Sequence, residues 1–216
     1  MSAQGEHRTA RARPRPVRSP RRRAAAAMAL AVFGLAGAVP PALAAVEVPG
    51  SGTVELAFTP GDAIDARIVA AIDAAKREVL VLAYAFTQQK IARALIAAHA
   101  RGVAVEVVAD RTQTLETPHS AIPLLAAAGV PVWLDGNFAA AHNKVVVVDG
   151  GLARATTVTG SYNFTSSAQR RNAENVAIFH HNAGVAQAYR AYFKRLQARA
   201  QRMEDADAAP ERPPRR

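Results

Sequence analysis

The chain has 216 residues, half of them apolar and 20% charged, which is enough for one ordinary core. It contains no cysteine, which excludes disulfides, thiolate metal sites, a cysteine nucleophile and a lipoprotein anchor. Eight arginines against one glutamate give residues 1–44 a charge of +7 out of the chain's +10, leaving only +3 for the rest. Global charge is therefore weak support for nucleic-acid binding, and the basic residues that matter must be local, such as Arg111, Lys144, Arg170 and Arg171.

Residues 1–44 read as a signal peptide. An arginine-rich start is followed by an apolar run from Ala24 to Val39, then Pro40-Pro41 and the small residues Ala42-Leu43-Ala44 where a signal peptidase would cut. Gly34 and Gly37 interrupt the run, so a permanent span is the weaker alternative. The expected compartment is periplasmic or secreted, with no stable membrane insertion after the leader is removed.

Residues 45–202 form the expected domain. Thr53 to Phe58 alternates Val54, Leu56 and Phe58 and predicts a strand, and Asp62 is placed to cap a helix carrying Ile64, Ile68, Ile72 and Ala75. Val79–Ala85 is a continuous apolar run, hence a strand buried on both faces. A helix from Gln88 to about Ala100 closes at Gly102, Val103–Ala109 gives another buried strand ending in Asp110, and a short helix from about Ser120 stops at Gly129. Val130–Leu134 is a further strand. Four consecutive valines, Val145–Val148, place His142 and Lys144 on a buried strand, because β-branched side chains suit a pleat better than a helix. A hairpin at Asp149-Gly150-Gly151, a strand opening at Asn172-Ala173-Glu174-Asn175, a helix from Ala183 to about Gln201 and a disordered tail from 203 to 216 complete the chain. Strand and helix alternate through the first half. The expected fold is α/β, an α-β-α sandwich whose mixed sheet is largely parallel.

Residues two apart on a strand share a face, so His142 and Lys144 bring an imidazole and an ammonium side by side. Asp149 lies five residues past Lys144, about 16 Å along an extended chain, and distance favours a structural role for it. Downstream come Gly160-Ser161-Tyr162-Asn163 and Asn172-Ala173-Glu174-Asn175.

This pattern, His142-x-Lys144-x4-Asp149 with Ser161, Asn163 and Glu174 behind it, closely resembles the phospholipase D superfamily, specifically its small one-motif bacterial endonucleases of the Nuc type. The similarity runs from about Val54 to about Phe179 through Ala83-Tyr84-Ala85-Phe86-Thr87, Arg101-Gly102-Val103 and Asp135-Gly136-Asn137-Phe138. One departure is a longer spacer, Gly150 to Thr159, between the aspartate and Gly160-Ser161. The resemblance implies catalytic His142, Lys144, Asp149 and Glu174, with Ser161 and Asn163 contacting substrate.

In that reading the neutral His142 imidazole attacks phosphorus, Glu174 accepts from its other ring nitrogen, and Lys144 and Asn163 stabilise the non-bridging oxygens. Thr165–Arg171 opens a helix whose amides face the phosphate. A second histidine must protonate the leaving oxygen, yet His99, His119 and His180-His181 lack the motif's setting. The expectation is a homodimer with a composite site on its twofold axis. No metal-ligand spacing occurs in the sequence, so no metal and no other cofactor is expected. The preferred substrate is nucleic acid, DNA or RNA; the alternatives are phospholipid, or a non-catalytic DNA-binding module.

Overall fold

The computed structural model describes residues 45–203. The expected signal peptide and residues 204–216 lie outside them. The chain runs β1 (Thr53–Thr59), α1 (Ile64–Ala74), β2 (Glu78–Ala83), α2 (Gln89–Ala100), β3 (Ala104–Asp110), α3 (Arg111–Glu116), α4 (Ile122–Ala127), β4 (Val132–Asp135), β5 (Lys144–Val148), β6 (Thr156–Gly160), α5 (Ser166–Arg170), β7 (Glu174–His180), α6 (Ala183–Gln197) and β8 (Gln201–Arg202). The strands form one sheet in the order β1-β7-β6-β5-β2-β3-β4-β8.

The mixed α/β sandwich is as expected, but the sheet is not largely parallel. Only the strands joined by helical crossovers run side by side in one direction, and the second half of the chain pairs antiparallel. Its parallel part is the β2-β3-β4 unit, whose strands are joined by helical crossovers, and every other pairing is antiparallel. The centre of the sheet is covered on both sides, which is why β2 and β5 read as unbroken apolar runs. Val79, Val81, Val146 and Val148 face a core with Ile64, Ile68, Ile72, Ile91 and Leu95, while Leu80, Leu82, Val145 and Val147 face Phe193 and Leu196 of α6. No helix among the described residues is long and apolar enough to cross a membrane.

Several boundaries differ from expectation for local reasons. Asp62 does not cap α1; its carboxylate accepts from the amide of Phe58 at 2.8 Å and closes the turn after β1. The six residues of α3 show no apolar period that would predict a helix, but the Asp110 carboxylate caps it by accepting from the Gln113 amide at 2.8 Å. The last helix ends at Gln197, and Gln201 instead begins β8 against β4. Met203 does not begin a loose tail: it is buried, and its amide donates to the Val132 carbonyl at 2.9 Å. The turn after β5 is a loop reaching Ala155, which takes up the long spacer.

One face of β1 is unexpected. Val54, Leu56 and Phe58 are 55%, 61% and 54% exposed, while Ala57 and Thr59 are buried. The edge strand shows apolar side chains to solvent because α6 packs on β2 to β6 and leaves this flank bare.

Candidate active site

The site collects at one end of the sheet, where β2, β3 and β4 finish and β5 and β7 begin. β5 starts at Lys144, paired with Ala83 at the end of β2. His142 therefore lies just ahead of the strand, not on it, in the segment that follows β4. Two hydrogen bonds fix that segment: the Ala141 amide donates to the buried Asp110 carboxylate at 2.8 Å, and the Asn143 amide to the Ala141 carbonyl at 2.9 Å. Asp110 thus clamps both the cap of α3 and the backbone one residue before His142. Asp110 is therefore a positioning residue for the segment that carries His142.

The imidazole and the ammonium are neighbours, as the spacing implies, and the surface they share is Tyr84. The Tyr84 and His142 ring centres are 4.3 Å apart with the planes tilted by 56°, and Lys144 Nζ sits 4.8 Å from the Tyr84 centroid. Lys144 Nζ also donates to the His142 carbonyl at 3.0 Å. His142 is exposed, whereas Lys144 is only 6% exposed. Burial pushes the Lys144 ammonium below its usual 10.5, with the Glu174 charge acting in the opposite direction. Activity that needs this cation should fall on the alkaline side at a pH below that of an ordinary lysine. A pH–kcat/KM profile checks this, and Lys144→Arg, always charged, removes that alkaline limb.

Glu174 opens β7. Its two oxygens accept from Ser161 Oγ at 2.5 Å and Asn172 Nδ2 at 2.8 Å, and its amide donates to the buried Thr59 hydroxyl at 3.1 Å. Ser161 Oγ in turn accepts from the Asn175 amide at 3.1 Å. Ser161 and Glu174 are brought together, but no hydrogen bond joins Glu174 to His142. A carboxylate offers about four lone-pair positions, so these two donors leave it room for a third. Tyr162 and Phe164 are buried on either side of Asn163, which is half-buried with its Oδ1 unpartnered among the described residues. Thr165 Oγ1 accepts from the Ala168 amide at 3.1 Å and caps the five-residue α5.

Asp149 is the motif residue that the structure does not bring to the site. It lies at the far end of β5, 2% exposed, accepting from the amides of Lys76 (3.2 Å), Arg77 (2.7 Å) and Glu78 (3.2 Å) and from Arg154 Nε (3.0 Å). The reason is the pleat: five extended residues carry it away from Lys144. Its expected catalytic role is corrected to a structural one.

Tyr84, Asp110, Thr59 and Asn172 join the site without being marked by the motif. For Tyr84 a signal exists in the sequence, a hydroxyl-bearing ring ending an apolar strand. Phe138 is exposed, and Trp133 is half-buried beneath Arg202, so neither belongs wholly to the core.

An exposed imidazole and a buried ammonium at one edge of an α/β sandwich, backed by a serine-carboxylate pair, define a class: the histidine-centred phosphodiesterase folds. The chain belongs to the phospholipase D-like family, matching over residues 68–197 the domain described as "Cardiolipin synthase, PLD-like domain". It is 37% identical over 136 residues to a "Phospholipase D" of Rickettsia bellii, covering 63% of this chain and 65% of that protein. It is 33% identical over 135 residues to the "Mitochondrial cardiolipin hydrolase" of Xenopus laevis, covering 62% and 61%. The crystal structure of Nuc from Salmonella typhimurium, a phospholipase D family member, superposes with a TM-score of 0.65 at 30% identity, covering 70% of this chain and 98% of that one. The chain thus spans under two thirds of the length of these two curated relatives but nearly all of Nuc.

Proposed function

We propose that the chain is an exported, metal-independent phosphodiesterase that hydrolyses nucleic acid through a covalent phosphohistidine at His142, acting as a homodimer. The observation that carries this reading is the exposed His142 imidazole set beside the buried Lys144 ammonium on Tyr84. A His142 ring nitrogen attacks phosphorus, the N–P bond forms and the P–O bond to the leaving nucleotide breaks. That oxygen takes its proton from the imidazolium of His142 of the partner subunit. The now neutral ring removes a proton from water, the hydroxide attacks phosphorus, and the N–P bond breaks to release the phosphorylated product. Lys144, Asn163 and Ser161 stabilise the oxygens of phosphorus, and Glu174 accepts from the second nitrogen of His142.

Support for a dimer comes from the single-histidine site and from the bare apolar stripe of Val54, Leu56 and Phe58. The strand that bears the stripe pairs with β7 up to Thr59–Glu174, so a second copy seated there lies next to the site. Nucleic acid is preferred because the likeness covers nearly the whole of Nuc. The names of the Rickettsia and Xenopus relatives favour phospholipid as the second reading.

One assay separates these. The purified protein is given plasmid DNA or cardiolipin vesicles in excess EDTA, with Leu56→Glu alongside. The expected result is DNA cleavage undiminished by EDTA, and loss of both dimer and cleavage in Leu56→Glu. Cleavage of cardiolipin alone would replace the substrate, and abolition by EDTA would overturn the mechanism.

A further inference from the structure

The helix α6 has two polar edges that differ in how their charges are satisfied. On one edge, Arg190 pairs with Glu78 at 2.8 Å and Lys194 with Glu106 at 2.6 Å, while Gln197 donates to the same Glu106 carboxylate. The opposite edge carries Tyr192 and Arg195, at the i, i+3 spacing of one helix face, and Arg199 follows in the turn just past the end of the helix. Neither arginine of that edge forms an ion pair with a described residue, and nor do Arg111 and Arg202 beyond it.

This second edge leads away from the site. Asn143, next to His142, reaches the Tyr192 hydroxyl at 3.5 Å, and the Arg195 guanidinium lies 5.4 Å from the Tyr192 ring centre. Arg199 and Arg111 then line a cleft of about 240 Å³ beside β4, where Arg111 Nη1 meets Gln201 at 3.4 Å. At the end of the row the Arg202 guanidinium lies 5.5 Å from the Trp133 ring centre. Tyr192 to the helix end at Gln197 rises about 7.5 Å, roughly the span of three phosphates of one strand of a B-form duplex, and Arg199 lies just beyond.

Cations without carboxylate partners, alternating with aromatic faces and continuous with the reacting histidine, are what a polyanion with stackable bases requires. We propose that Arg195, Arg199 and Arg111, with Tyr192, form a phosphate-binding track that holds the nucleic-acid strand on one side of the scissile bond. This rests on the nucleic-acid reading above and adds to it where the strand lies. An anionic membrane would also meet the arginines, but it would not need the interleaved rings, and the track displays no aliphatic side chain to insert.

The test is Arg195→Ala/Arg199→Ala in the full protein, with Arg190→Ala on the paired edge as control. KM for a labelled 20-nucleotide strand and its salt dependence are compared with kinetics on bis(p-nitrophenyl) phosphate. The expected result is a KM for the strand raised about tenfold or more, a log–log salt slope smaller by about two, and a far smaller change on the small diester. Arg190→Ala leaves both substrates unchanged. An unaltered salt slope, an equal loss on both substrates, or a loss confined to cleavage of anionic vesicles would overturn the track. Failure of the wild-type protein to cut the strand while it cuts the small diester would instead remove the nucleic-acid reading itself.

Discussion

Replacing His142 by alanine is expected to lower kcat by at least about 10³-fold while leaving the fold intact. The imidazole is the only nucleophile in the proposed displacement, and a residue acting as nucleophile in one subunit and as proton donor in the other loses both roles at once. The side chain is exposed and ahead of β5, so its removal opens no core cavity. Its ring packs against Tyr84, and Lys144 keeps its own hydrogen bond to a backbone carbonyl that alanine still provides. The measurement is kcat on a nucleic-acid substrate beside a thermal melt. An inactive variant with an unchanged Tm is the outcome consistent with chemistry rather than scaffold.

Asp149→Ala is expected to give the reverse pattern. This carboxylate gathers three successive backbone amides at the entrance to β2 and the guanidinium of Arg154, at the opposite end of β5 from Lys144. Alanine would strand those amides and would also sit at φ 52°, a conformation that aspartate and asparagine tolerate better. The expected cost is about 3–5 kcal/mol, seen as a fall in Tm of about 10 °C, with kcat of the remaining folded enzyme little changed. Asp149→Asn keeps one acceptor oxygen and should lose less. Burial by itself would raise the Asp149 carboxyl, but the amide hydrogen bonds of Arg77 and Glu78, Arg154 and the Lys76 amide outweigh it and hold the pKa below 3.8. A depressed folded-state pKa contributes stability that is complete above 3.8 and is lost as the pH falls through the folded value. Acid melts of the two proteins should therefore converge at low pH.

These two residues show what the sequence could reveal. Spacing along a strand is enough to separate Lys144 from Asp149, and the valine run locates β5 because a doubly covered strand has no other composition. The neighbourhood of His142 and Lys144 is legible for the same reason. What is not legible depends on partners distant in sequence. Tyr84 joins the site only because β2 pairs with β5, and Asp110 because the segment before His142 crosses the end of β3. The direction of the apolar face of β1 is hidden as well, since alternation gives a period but not which side a helix will cover. The short β8 has too few residues for any pattern and exists because β4 needs a neighbour.

Everything proposed for catalysis depends on the covalent step at His142. That step is observed by a rapid alkaline quench of the enzyme with an oligonucleotide labelled on the scissile phosphate, followed by peptide mapping. Label is expected on the peptide containing His142, released by acid, formed at the rate of turnover and absent from His142→Ala. Turnover at the normal rate with no label on the protein would contradict the phosphohistidine mechanism.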